Sequence, residues 1–158
     1  MKRLRLLSTI CLFVAMVAGT GAAVPDHANN DKIRDQLVGA WRLASLDEPD
    51  AQGIVRKADC TGLLVYTPDG HLSVQVMYRN PQTESRSAPV QYAQGGYEAS
   101  FGTYQIDDAH SFTFHVEGAL VRSLIGKDLR RVFELSGNQL IVKSPDPNEQ
   151  WSVVWEHY

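Results

Sequence analysis

Between residues 72 and 78 apolar and polar side chains alternate without a break: Leu72, Val74, Val76 and Tyr78 fall on one face, Ser73, Gln75 and Met77 on the other. A period of two is that of a strand with one face in a core. A second β-rich run, 62–66, precedes it, and the residues between the two are turn formers. Pro68 fixes φ, Asp69 suits the next position, and Gly70 takes positive φ without steric cost. Together they predict a β-hairpin. The same logic returns at 39–45, where Trp41, Leu43 and Ser45 face together, and at 97–106, 111–118, 128–135, 139–143 and 149–158. Turns at 107–109, 136–138 and around Pro145 and Pro147 separate the later runs; a turn at 48–53 and an edge-like run at 54–56 lie between the first strand and the hairpin. Ahead of the strands, Asn30 or Asp31 can cap a short helix with Ile33, Leu37 and Val38 on one face and Gly39 at its end. The pattern predicts an all-β, up-and-down antiparallel barrel of about eight strands with a short N-terminal helix, because closure removes exposed edges. The long connection 79–96, rich in Pro, Ser, Gln and Asn with a weak helical pattern at 90–93, is expected to cover the open end.

The start of the chain follows a different pattern. Lys2, Arg3 and Arg5 form a basic opening, 6–17 is apolar, and Gly21, Ala22 and Ala23 are small, which is the layout of a signal peptide cleaved after Ala23. The apolar run is short for a membrane span, so the mature protein is expected in the periplasm or secreted, without membrane insertion. The chain then divides into 1–23, signal peptide; 24–36, tail and start of the helix; and 37–158, the barrel domain. Removing the leader takes 3 of the 15 basic residues and leaves 12 against 18 acidic ones, a net charge of −6. That balance disfavours nucleic acid and anionic membrane surfaces, both of which need concentrated positive charge. Cys11 leaves with the leader, so Cys60 has no intramolecular partner and the core alone must hold the domain. Cys60 reads as a small half-buried hydrophobe; a reactive thiol or an intermolecular bridge is the alternative, with only Arg56 and Lys57 nearby to lower its pKa.

Six segments in order carry a family likeness: Gly39-Ala40-Trp41 at the first strand, 62–71, 101–104, 115–118, 131–137 and 154–156. Together they resemble the lipocalin-like domain found in many bacterial and some fungal proteins, from about Leu37 to the C-terminus. The resemblance implies an eight-stranded barrel around a cavity, with Gly39 and Trp41 at its closed base. In typical lipocalins a late-strand arginine packs over the signature tryptophan; here the last strand has none, and the usual Thr-Asp-Tyr segment is absent.

Other chemistries find no motif. There is no Gly-x-Ser-x-Gly elbow, and 126–128 lacks the glycines and the Ser or Thr of a phosphate loop. His115 and Glu117 share a strand face and could supply two metal ligands, but no third is visible, so neither a metal nor a cofactor is expected. Thr113, His115 and Glu117 alternate with Phe112, Phe114 and Val116. With the polar face outward, His115 is an ordinary surface histidine, and alternation alone favours that. Facing inward, it would join Arg131, which shares its face with Leu129, Phe133 and Leu135 and calls for a carboxylate from protein or ligand. His115, Glu117, Arg131, Gln75 and Tyr104 are the candidate ligand contacts. The favoured function is binding of a small apolar or amphipathic molecule in the cavity, with Arg131 on an acidic or carbonyl head group. The alternative is an isomerase or cyclase acting on a lipid-like or polyketide-like substrate, with His115 and Glu117 as acid and base. Binding is preferred because no second catalytic group is evident. A domain working through protein association is a third class.

Overall fold

The computed structural model describes residues 27–50, 52–80 and 95–158. One helix, α1 (His27–Leu37), precedes nine strands: β1 (Gly39–Pro49), β2 (Val55–Lys57), β3 (Cys60–Tyr66), β4 (His71–Tyr78), β5 (Tyr97–Asp108), β6 (Ser111–Ala119), β7 (Asp128–Ser136), β8 (Gln139–Lys143) and β9 (Ser152–His157). From β3 to β9 each strand pairs antiparallel with the next, and β1 pairs with both β3 and β9, so eight strands close into a barrel. The short β2 is added to the far end of β1 through Asp47, Glu48 and Pro49. The β3–β4 hairpin turns where the sequence predicts, with Gly70 at φ 88° and the His71 N–H donating to the Thr67 hydroxyl at 3.0 Å.

Alternation sends one residue in two into the barrel, and these form the core. Trp41, Tyr66, Leu37, Leu140 and Val116 are the most completely buried large side chains. The helix lies at the end where β1 begins and β5 finishes, and its buried Ile33 and Leu37 belong to the same core. The Trp41 indole N–H donates to the Leu37 carbonyl at 2.8 Å, tying strand to helix, and the Asn30 amide donates to the Ile106 carbonyl at 3.3 Å. Asn30 is therefore inside the helix and bonds across to β5, where the sequence placed it or Asp31 as a cap. This end is the base. Gly39 sits there at φ 138°, and a Cβ on it would come within 2.4 Å of the His157 ring, which stacks edge-on to Trp41 at 4.7 Å.

Two bulges change which residues face inward. In β1 the register against β9 skips one residue after Leu43, so Trp41 and Leu43 point in and then Leu46 and Glu48 do. Ser45, expected with Trp41 and Leu43, thus falls on the outer face, and Glu48 and Pro49, expected in a turn, extend the strand. In β6, Glu117 is the extra residue, lying between the pairs Gly102↔Val116 and Phe101↔Gly118. Gly102 permits this approach, because a Cβ there would stand 2.0 Å from the His115 carbonyl oxygen.

Candidate functional site

Away from the base the barrel interior is not filled. A cavity holds about 900 Å³ free of protein atoms, part of it open to solvent. Its walls are largely apolar, with Leu64, Leu72, Val76, Phe114, Val142 and Trp155 among them, and polar side chains interrupt them, among them Glu48, Tyr66, Tyr78, Glu98, Ser100 and Arg131. A few convergent polar groups among apolar walls is the usual composition of a small-molecule site.

Each polar group has a definite origin and state. Glu48 is brought inward by the β1 bulge and Tyr78 by the unbroken alternation of β4. The two meet where the Tyr78 hydroxyl, donating, lies 3.1 and 3.0 Å from the Glu48 carboxylate oxygens. Burial first, and then the Glu48 charge, raise the Tyr78 phenol well above its ordinary range. The same two causes push the neighbouring Cys60 up to about 11, so this buried thiol is held in its protonated form. Arg131 projects from β7 with its guanidinium 5.2 Å from the Trp151 ring centroid, a cation–π arrangement. Glu98 enters from the start of β5, and no described residue hydrogen-bonds its carboxyl. It is half-buried and lines the cavity. Loss of solvation therefore raises it to about 7, with the Arg131 charge opposing the rise. Tyr66, fully buried, packs edge-on against Tyr104 and Phe112 at 4.9 and 6.0 Å, and its hydroxyl has no hydrogen-bond partner among the described residues.

Of the five predicted ligand contacts, only Arg131 lines this cavity. On β6 it is Phe112, Phe114 and Val116 that face inward, so His115 and Glu117 stand exposed on the outer surface. His115 Nδ1 lies 2.7 Å from Asp128 of β7. The expected meeting of Glu117, His115 and Arg131 inside the barrel does not occur: β6 places Arg131 opposite Phe112, and Asp128 opposite His115. Gln75 is also on the outer face, accepting from the Tyr97 hydroxyl at 3.0 Å. Tyr104 is buried below the cavity, where its hydroxyl donates to the Thr67 carbonyl at 3.3 Å. Gly39 and Trp41 occupy the base. The segment expected to cover the open end falls mostly on 81–94, outside the described residues. Among the described residues no three His, Cys, Asp or Glu side chains gather as metal ligands would.

Sequence reasoning missed Glu48, Tyr78, Glu98, Ser100 and Trp151. One signal was available. Carrying the parity of Tyr104 and Ile106 back along β5 puts Ser100 and Glu98 inside, although the opposite parity, Tyr97, Ala99 and Phe101, is the more apolar at that end.

Among solved structures, the chain is similar to a lipocalin-like protein from Bacteroides uniformis, with 16% identity over 78% of this chain and 99% of that one and a TM-score of 0.46. An uncharacterized protein from Bacteroides eggerthii shows 15% identity over 77% and 99%, with a TM-score of 0.45. The lipoprotein YedD from Klebsiella pneumoniae shows 11% identity over 77% and 71%, with a TM-score of 0.41. No curated protein matches the sequence. The lipocalin-like domain pattern matches residues 38–157, a stretch that spans every barrel strand and the cavity between them, and the chain belongs to that family.

Proposed function

We propose that this protein is exported and binds a small apolar or amphipathic molecule inside its barrel. The observation that carries the reading is the cavity: space inside the barrel, part of it open to solvent, with apolar walls and a few inward polar groups. Binding is favoured over an isomerase or cyclase because the acid and base that such an enzyme would draw from His115 and Glu117 stand on the outer surface. Export is supported by the basic, apolar and small-residue order of 1–23. Among the described residues no helix is long and apolar enough to cross a membrane.

Native mass spectrometry of purified protein, before and after denaturation, tests the binding reading. The expected result is a discrete added mass that denaturation releases. A Val76→Trp variant, which fills the cavity from β4, should fold and lose that mass. Retention of the same ligand by the filled variant would move the site elsewhere. Mass spectrometry of material exported by its host should find a chain beginning just after Ala23, and an intact Met1 there would overturn the export reading.

A further inference from the structure

Two carboxyl groups, Glu48 and Glu98, and one guanidinium, Arg131, line the cavity among the described residues. An anionic head group would therefore enter a space in which two carboxyl groups stand against one guanidinium. The Glu48 carboxylate is engaged by the Tyr78 hydroxyl. Glu98 is different: it reaches the cavity from β5, no described residue hydrogen-bonds it, and it is half-buried among largely apolar walls. An acceptor in such a place is matched by a donor that arrives with the ligand, because a buried polar group left without a partner is costly. Ser100, two residues on and on the same face, adds a second short polar side chain beside it. We propose that the cavity selects a molecule with an apolar body and a non-anionic, hydrogen-bond-donating head, an alcohol or an amine, which the Glu98 carboxyl receives. The inference rests on the cavity being the binding site and names the class of molecule it takes.

The charge state of Glu98 separates the two kinds of head. Among the described residues, the other titratable or charged groups lining the same cavity are Glu48 from β1, Tyr66 from β3, Tyr78 from β4 and Arg131 from β7. Burial holds both tyrosines neutral over the ordinary pH range. Glu98 is raised to about 7 by burial, so it is ionised in mildly alkaline solution and carries its proton in mildly acidic solution. As an anion it accepts from either head and attracts an ammonium; protonated, it still accepts from an alcohol on its carbonyl oxygen but loses the charge attraction.

Displacement of the neutral fluorescent reporter N-phenyl-naphthylamine by decanol, decylamine and decanoate provides the test, since the three share one tail. At about pH 8 decanol and decylamine should displace the reporter at concentrations at least about tenfold below decanoate, with decylamine the stronger of the two. Lowering the pH to about 6 should cost decylamine several-fold and leave decanol nearly unchanged. Glu98→Gln should remove the advantage of decylamine over decanol at both pH values. Tightest binding by decanoate, or equal displacement by all three, would overturn the proposal while leaving the cavity as the site; this ranking needs no variant to fold. An unaltered amine advantage in Glu98→Gln would overturn the role of Glu98. Failure of the wild-type protein to bind the reporter or any probe would overturn the cavity reading and this inference together.

Discussion

At the scale of single residues, Glu98 links the cavity to stability. A carboxyl raised from 4.5 to about 7 holds its proton more tightly in the folded chain than in the unfolded one. Its favourable contribution is full below the unfolded value and is lost as pH rises through the folded one. A shift of that size corresponds to at most roughly 3 kcal/mol, less because part of the side chain faces the cavity. Glu98→Gln should match the wild type in urea unfolding near pH 4 and exceed it by about 1 to 3 kcal/mol near pH 8. Equal stability at both pH values would mean that the carboxyl is solvated. The two inward tyrosines provide a matched contrast. Tyr78→Phe removes the hydroxyl that donates to buried Glu48 and should cost about 1 to 3 kcal/mol. Tyr66→Phe removes a buried hydroxyl with no partner among the described residues, so the change should be within about 0.5 kcal/mol or stabilising. A comparable loss in both variants would show that the Tyr66 hydroxyl is satisfied after all.

At the scale of elements, strands with unbroken alternation were legible in the sequence and strands carrying a bulge were legible only up to it. β4 alternates from Leu72 to Tyr78, and β7 from Leu129 to Leu135, so alternation by itself is enough to place Arg131 among apolar neighbours. In β1 nothing in Leu43, Ala44 and Ser45 marks an extra residue, and the parity reversal that carries Glu48 into the cavity follows from pairing with β9. In β5 the outward face is apolar near its start, with Phe101 lying over Gly118, so hydrophobicity points the wrong way for Glu98. Side-chain period is two, and one inserted residue sends every later side chain to the other face. The bulge in β6 has its own requirement. Gly102→Ala sets a methyl group against the His115 carbonyl oxygen and should cost about 2 to 3 kcal/mol, with faster hydrogen exchange confined to β5 and β6. A neutral Gly102→Ala would mean that the two strands separate easily there. The base depends on one side chain: Trp41→Ala deletes a nearly fully buried ring and its bond to the helix, and should cost about 3 to 5 kcal/mol. A loss under about 1 kcal/mol would show that α1 and the base hold without it.

At the scale of the whole molecule, the last strand closes a sheet whose first strand formed at the other end of the domain. β1 meets β9 from Trp41↔His157 to Asp47↔Ser152, and until that seam forms both β1 and β9 present a free edge. The Arg42–Glu156 ion pair crosses the seam, but it is largely exposed and contributes little. What holds the seam is the backbone ladder, together with Trp155, buried to 3% exposure, and Val153 beside it in the cavity wall. Because these contacts join opposite ends of the domain, the barrel should unfold as one unit. Trp41 at the base, Trp151 beside Arg131 and Trp155 in the seam then report the same transition, and tryptophan fluorescence and far-ultraviolet circular dichroism should give coincident urea midpoints. A chain ending at Gln150 lacks Trp151, Val153 and Trp155, leaving a cavity without one wall and two unpaired edges. It should show no cooperative transition and should associate, whereas adding a synthetic peptide of residues 151–158 should restore native fluorescence by completing the seam. A cooperative transition in the shortened chain alone would mean that seven strands suffice and that closure serves the cavity, not the stability of the fold.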